Sequence, residues 1–228
     1  MTVTLVTGAN KGIGFETARQ LLELGHVVYL GARDIERGKA AAAALGTPFV
    51  QLDVTDDASV SDALATIDAA EGRLDILINN AGILGAGDID GPKALRVFDT
   101  NAVGIVRVTE AALPLLKKSS NPTVVNVSSS MGSFWAVNNP ERPEFGLPAA
   151  LYAASKSAAT MLTVQYAKLY PGIKFNALEP GTTATDMTAD LGVGRPVEES
   201  AKTVVRLATL GVDAPTGTLT DDHGTLSW

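Results

Sequence analysis

The 228-residue chain contains no cysteine, which excludes a disulfide framework and any thiolate metal centre. Histidine is almost as scarce. His26 and His223 are the only two; they lie far apart, with no carboxylate at ligand spacing, so no metal site is expected. Positive charge is short as well. Lys and Arg number 18 against 25 Asp and Glu, a net charge of -7, the wrong balance for a face that meets duplex phosphates or an anionic membrane. No uncharged apolar run approaches the about 20 residues that cross a bilayer. A strand pattern begins at Val3, so neither a membrane span nor a leader segment is expected. The lack of cysteine suits a reducing cytosol, and a cytoplasmic protein is the expectation. With 46% hydrophobic and 19% charged residues, the chain reads as one ordinary globular domain over 1–228.

What is present is organised around glycine turns and strand ends. Val3-Thr4-Leu5-Val6-Thr7 is a short apolar strand that runs into Gly8-Ala9-Asn10-Lys11-Gly12-Ile13-Gly14. A helical stripe of Phe15, Ala18, Leu21 and Leu22 follows and ends near Gly25. Strand, glycine turn and helix form the opening of a dinucleotide-binding βαβ unit, in which backbone approaches a pyrophosphate at the helix N-terminus. The second strand, His26 to Gly31, leads into Ala32-Arg33-Asp34. An acidic residue at this strand tip reads the ribose 2′-hydroxyl of NAD, whereas a basic one accommodates the 2′-phosphate of NADP. Arg33 is the first charge met, and the glycine turn adds Lys11, so NADP(H) is favoured. The alternative is a solvated charge pair. Asp34 either reads the ribose or caps the helix that runs to Leu45.

A third strand, Phe49 to Val54, carries Asp53 at its end, which either meets an adenine edge or shapes the turn into a helix from Asp56 to Ala70. Leu74 to Ile78 is a fully buried type of strand ending in Asn79-Asn80-Ala81-Gly82, polar amides at the crevice where ligands bind such sheets. Ile83 to Gly91 reads as a loop. One long helix is expected from Pro92 to Lys117, with Asn101 in its middle, either holding a polar partner or facing solvent. Thr123 to Val127 is the next strand, ending in Ser128-Ser129-Ser130. An irregular excursion from Met131 to Pro148 carries Pro140, Pro143, Gly146 and Pro148. A helix from Ala149 to Tyr170, a strand from Ile173 to Leu178, the turn Glu179-Pro180-Gly181-Thr182-Thr183-Ala184-Thr185, a helix from Glu198 to Leu210 and a last strand at Gly217 to Thr220 complete the chain. The expected fold is a Rossmann-type, doubly wound parallel α/β sheet with helices on both faces.

Within the Ala149–Tyr170 helix, Leu151-Tyr152-Ala153-Ala154-Ser155-Lys156 sets a phenol and an ammonium on one face, four residues apart. A phenol titrates near ~10, and about 4 kcal/mol of preferential stabilisation of the phenolate would bring it to neutrality. The expectation is that Lys156, with a second positive group, supplies this and makes Tyr152 an acid or base at neutral pH.

Together these motifs resemble the short-chain dehydrogenase/reductase family in its compact form. The resemblance rests on Thr7 to Gly14, Asn79-Asn80-Ala81-Gly82, Asn101, Ser128-Ser129, Tyr152 with Lys156, and Pro180-Gly181. It implies that Tyr152 is the catalytic acid or base, that Lys156 lowers its pKa and holds the nicotinamide ribose, that Ser129 polarises the substrate carbonyl, and that Asn101 holds a water in a proton relay. Ser128 and Ser130 stay open as alternatives to Ser129. It further implies that Gly8, Asn10, Lys11, Gly12, Ile13, Gly14, Arg33, Asp53, Val54, Asn80, Ala81, Gly82, Pro180 and Gly181 line the cofactor, with Thr183 at the carboxamide and Thr185 at the phosphates.

Within the family the chain is most similar to NADPH-dependent carbonyl reductases, in which a basic pair matching Lys11 and Arg33 holds the 2′-phosphate. Ser129 and Tyr152 stand 23 positions apart, wider than in the compact tetrameric members. The excursion between them could cover the assembly face of the helix, so a monomer is favoured. The segment from Asp186 to Pro196 is short where many relatives carry a lid, and an open pocket for a small carbonyl or alcohol substrate is expected. Two other readings are a non-catalytic NADP(H)-binding redox sensor and a 3-oxoacyl reductase.

Overall fold

Strands buried on both faces of a sheet are rich in apolar residues, and the central strands of this chain are buried along their whole length. In the computed structural model, which describes every residue except Asp190, Leu191 and Val193, β1 (Val3–Val6), β2 (Val27–Ala32), β3 (Phe49–Gln51), β4 (Ile76–Asn79), β5 (Thr123–Val127), β6 (Lys174–Leu178) and β7 (Thr218–Asp221) are parallel. They lie in the order β3-β2-β1-β4-β5-β6-β7-β8. Here β8 (Gly224–Thr225) is an antiparallel edge strand. The doubly wound parallel sheet is as expected, and the hairpin adds one antiparallel pair at its edge, with Gly224 at φ 129 where the chain turns back.

Strand order reverses at β1, which pairs β2 on one side and β4 on the other, with Leu5 opposite both Tyr29 and Leu77. This is the switch point beyond whose carboxyl edge ligands bind in such sheets. Helices α1 (Gly12–Glu23), α2 (Ile35–Leu45) and α8 (Val197–Ala208) cover one face. Their Ala18, Leu21, Ala41, Val204 and Leu207 pack with Val6, Ile78, Val125 and Leu178 of the strands. On the other face, α3 (Asp57–Glu71), α5 (Gly104–Leu116) and α7 (Ala150–Leu169) bring Leu64, Ile67, Val108, Leu116 and Tyr166 against Leu5, Leu77, Val124 and Phe175. Successive strand residues thus feed opposite cores, as period-two geometry requires.

A polar rod crosses the second of these cores. Asn79 Nδ2 donates to Asn126 Oδ1 at 2.9 Å and to Thr109 Oγ1 at 3.2 Å, while Asn126 Nδ2 donates to Thr163 Oγ1 at 2.8 Å. The rod ties β4 and β5 to α5 and α7 in one register, with every amide nitrogen in it hydrogen-bonded.

Two elements differ from expectation. The single helix foreseen over Pro92–Lys117 is α4 (Gly91–Phe98) joined to α5 by a π-helical turn, Asp99–Val103, with Asn101 at its centre. The excursion is less irregular than foreseen. It holds the 3-10 turns Ser130–Gly132 and Pro143–Gly146 and a short helix, α6 (Phe134–Asn138). Trp135 N–H donates to Trp228 O at 3.0 Å and Ser133 Oγ to Ser227 O at 2.6 Å, so the C-terminus holds this segment down. Among the described residues no helix is long and apolar enough to cross a membrane.

Candidate active site

The glycine turn is built to let backbone approach a ligand. Gly8 takes φ 62, and a Cβ there would sit 2.9 Å from Ala81 Cα. At Gly14 a Cβ would lie 2.4 Å from Asn80 Nδ2. Asn80 explains the shape of the turn: its Nδ2 donates to Thr7 O at 2.9 Å and Gly8 O at 3.1 Å, and its own N–H donates to Thr7 Oγ1 at 3.0 Å. The Asn80 side chain is therefore a brace between β4 and the turn. Lys11 precedes α1 with extended backbone and no side-chain cap, and the first turn of α1 holds no acidic residue. Its N–H groups stay available to an anion. Ile13 packs into the core beneath, and Asn10 is half-buried beside it.

At the adenosine end, Arg33 is exposed beyond β2. Asp34 is committed elsewhere: it caps α2 by accepting from Arg37 N–H at 2.9 Å and pairs with the Arg37 guanidinium at 3.0 Å. That resolves its open reading in favour of a cap. Asp53 Oδ1 accepts from Thr55 N–H at 3.0 Å and Thr55 Oγ1 at 2.7 Å, so at least one oxygen shapes the turn. Buried Val54 packs against Gly104 at the start of α5.

Four side chains converge at the carboxyl ends of β4 and β5. Of the three serines, Ser128 Oγ bonds Lys156 O and Thr160 Oγ1, and the Ser130 hydroxyl turns to Glu144. Ser129, whose Oγ accepts from Met131 N–H at 3.2 Å, is the serine near enough to the Tyr152 phenol to oppose the rise in its pKa. Gly132 allows this, since a Cβ there would lie 2.6 Å from the Lys156 carbonyl carbon, so the loop after Ser129 rests on the backbone of α7.

Lys156 is 5% exposed, and its Nζ donates to Val127 O at 2.6 Å, 5.6 Å from the Tyr152 ring centre. Burial brings its pKa down to about 8 against the pull of the Glu179 carboxylate. The residues around Tyr152 do not by themselves supply the expected acidification. Part of its ring reaches the surface, but the hydroxyl end lies among protein atoms. Burial and the Glu179 charge push the phenol above its ordinary value, with only the Ser129 hydrogen bond opposing them. Lys156 points to the Val127 carbonyl rather than to the phenol oxygen, and among the described residues no cation is seen to stabilise the phenolate.

Asn101, 1% exposed, lies in the π-turn. Its Nδ2 donates to Ile83 O at 2.8 Å and Ser155 Oγ at 2.9 Å, and its Oδ1 accepts from Ile83 N–H at 2.8 Å. Both amide hydrogens are spent, and only a second lone pair of Oδ1 is left for the expected water. A Cβ at Gly82 would be 3.4 Å from Asn101 Oδ1 and 3.6 Å from Lys156 Nζ, so Gly82 keeps the space between them open.

Across the crevice, the Pro180-Gly181 turn follows β6. Thr183 is buried, its hydroxyl is shared between Gly181 O at 2.8 Å and Ser200 Oγ at 2.6 Å, and its main-chain oxygen accepts from Thr188 Oγ1. Thr185 reaches over the glycine turn, where a Cβ at Gly12 would stand 3.4 Å from its Cγ2. Lys11 Nζ and Asp186 Oδ2 pair across the same gap at 2.6 Å. Of the segment from Asp186 to Pro196 read as a short lid, Asp190, Leu191 and Val193 lie outside the described residues.

Sequence reasoning passed over Thr7, Ser155 and Glu179 as site builders. Thr7 Oγ1 accepts from the N–H groups of Asn80 and Ala81, Ser155 Oγ donates to Tyr152 O at 2.7 Å, and Glu179 accepts from Gly181 N–H at 2.6 Å and from Ser130 N–H. A carboxylate between an apolar strand and Pro-Gly was the signal for the last.

The switch-point crevice, the braced glycine turn and the Ser129–Tyr152–Lys156 cluster define an α/β dinucleotide-binding oxidoreductase site. Residues 2–195 match the family model described as short chain dehydrogenase, and the chain belongs to that family. It is similar to (+)-neomenthol dehydrogenase of Capsicum annuum, 33% identical over 93% of this chain and 93% of the relative. Among solved structures it is similar to salutaridine reductase from Papaver somniferum, 30% identical with a TM-score of 0.86, covering 97% of this chain and 100% of that one. It is also similar to NADPH-bound carbonyl reductase from chicken fatty liver, 32% identical with a TM-score of 0.87 over 100% of both chains.

Proposed function

We propose that this oxidoreductase uses NADP(H) to reduce the carbonyl group of a small-molecule substrate. The observation that carries the reading is buried Lys156, whose Nζ lies 5.6 Å from the Tyr152 ring centre and donates to Val127 O at the end of the strand that leads into Ser129. The glycine turn, the open first turn of α1, exposed Arg33 and the diversion of Asp34 into a helix cap fit a dinucleotide with a 2′-phosphate. An NADPH-bound carbonyl reductase among the similar structures supports the same cofactor.

Bound NADPH supplies the hydride. Tyr152 donates its proton to the carbonyl oxygen as charge develops there, and Ser129 donates a hydrogen bond to the same oxygen. Lys156, with one hydrogen on Val127 O, has two left for ribose hydroxyls. Asn101 and Ser155 hold α7 against the loop at Ile83 and so position Tyr152. In this reading Gly8, Gly12, Gly14, Ala81, Gly82, Pro180 and Gly181 line the cofactor, Asp53 and Val54 flank its adenine, and Thr183 and Thr185 face its other end. A phenol that keeps its proton at neutral pH has that proton to give to the carbonyl oxygen.

The chain is read as a cytoplasmic monomer, the second because the turn Ser130–Gly132 at the start of the excursion rests on the backbone of α7 at Lys156. Absorbance of NADPH followed with a panel of ketones, quinones and aldehydes tests the reading. Consumption of NADPH with at least one of them is expected; binding of NADPH without turnover of any would favour a redox sensor instead.

A further inference from the structure

Arg195 meets the turn after β6 with its main chain and its side chain at once. Its N–H donates to Thr182 O at 2.9 Å and its carbonyl accepts from Ala184 N–H at 2.9 Å, a parallel bridge centred on Thr183. The guanidinium turns back along the same stretch, where Nη2 donates to Pro180 O, Nε to Ser200 Oγ at 2.9 Å and Nη1 to Asp222. These acceptors belong to three parts of the fold: the turn itself, the first turn of α8 and the β7–β8 hairpin. Two of them are tied down further. Ser200, fully buried, shares its hydroxyl with Thr183 Oγ1 at 2.6 Å, and Asp222 also accepts from Thr203 Oγ1. Gly181 admits the guanidinium, since it takes φ 75 and a Cβ there would lie 2.8 Å from Arg195 Nε. We propose that Arg195 is a positioning residue that fastens the Pro180–Thr183 turn to α8 and the hairpin and thereby seats the nicotinamide end of the cofactor. The fastening stands on the hydrogen bonds alone, whereas its effect on the reaction rests on the reductase reading.

Arginine suits this place for a geometric reason. A planar fork with donors on three nitrogens serves three acceptors in fixed directions, which one ammonium on a flexible stem cannot do. The Arg195 side chain is 22% exposed, so its bonds lie largely out of water, where removing a donor strands a buried acceptor. The Asp222 carboxylate is the most open of the partners at 38% exposed, and a pair so placed is screened and contributes least. The hold on the turn therefore depends on Pro180 O and Ser200. Each guanidinium nitrogen is engaged within the protein, so the residue acts through the turn.

The experiment measures amide hydrogen exchange in the ligand-free protein and then turnover. In Arg195→Lys and in Ser200→Ala the amides of residues 184 and 195 should exchange about 10-fold faster or more than in the parent. The amide of Val125, buried in β5, should keep its parent rate and so show the fold intact. Joining the two substitutions should add little to Arg195→Lys alone, because both remove the Arg195–Ser200 bond. Should Arg195→Lys not fold, Ser200→Ala carries the same test. With NADPH and a carbonyl that the parent reduces, Arg195→Lys should lower kcat by about 10-fold or more and hold the carbonyl KM within about twofold. The emission of bound NADPH should shift toward that of the free cofactor. Parent-like exchange at residues 184 and 195 in the variants overturns the fastening, and faster exchange with the parent kcat overturns the positioning role. Faster exchange in a protein whose parent form reduces no carbonyl would instead reject the reductase reading and leave the fastening standing.

Discussion

Asn101 donates to Ser155 Oγ at 2.9 Å, and Ser155 in turn donates to the main-chain oxygen of Tyr152 at 2.7 Å, so the π-turn is wired to the segment that carries the phenol. A π-turn inserts a residue into a helix and re-aims the side chain at its centre. Here it lets one amide grip Ile83 by both its N–H and its carbonyl. Replacing Asn101 by Ala strands those buried groups, at about 1–3 kcal/mol each, and loosens α7. Denaturant midpoints should fall, and kcat should drop about 10- to 100-fold with the NADPH KM nearly unchanged.

Lys11 is held by Asp186 across the crevice in a pair exposed to solvent on both sides, the kind that contributes little and is easily exchanged. If Lys11 and Arg33 together meet a 2′-phosphate, Lys11→Gln with Arg33→Gln should raise the NADPH KM by about 10- to 100-fold and leave the NADH KM alone. Asp186→Asn frees Lys11 and should lower the NADPH KM by about twofold. Steady-state kinetics with both cofactors check each outcome.

Lys156 links stability to pH. An unfolded lysine titrates near ~10.4, whereas burial brings Lys156 in the fold down to about 8. Between these values the unfolded chain keeps a proton that the folded chain has released, so raising the pH across this window stabilises the fold. Below it both states hold the proton and the dependence vanishes. Tyr152 acts oppositely, and only above the ordinary phenol value of ~10, because its raised pKa keeps the proton on the folded chain. Melting temperatures of Lys156→Met should lack the parent's rise between about pH 8 and 10.

The Asn79–Asn126 bond, at 2.9 Å, lies inside a core, and Asn126 continues to Thr163. Asn126→Ala removes an acceptor from one neighbour and a donor from the other. A loss of about 2–4 kcal/mol in unfolding free energy is expected. Equilibrium denaturation measures it, and a change under about 0.5 kcal/mol would mean that the rod is not needed to seat the strands.

The sheet and its glycine turn were legible because strand runs and turn residues are local signals, and Asp34 caps its helix as one of its two readings had it. The π-turn was not legible. It follows from Asn101 meeting Ile83, a contact set by tertiary packing that no helical periodicity encodes. The Tyr152–Lys156 spacing was read correctly as a shared helix face, but spacing could not reveal that the ammonium finds the Val127 carbonyl instead of the phenol. Nor could it reveal that Glu179, 27 positions beyond Tyr152, brings its charge to the same place. Local pattern located the site, whereas its electrostatics came from chain segments that meet only in the fold.

The account stands or falls on proton donation by Tyr152, and the most direct measurement is NADPH-dependent carbonyl reduction by Tyr152→Phe beside the parent protein. A loss of about 10²- to 10⁴-fold in kcat is predicted, the usual contribution of a positioned acid, with NADPH binding retained. A Phe variant that reduces the same substrate at close to the parent rate would contradict it.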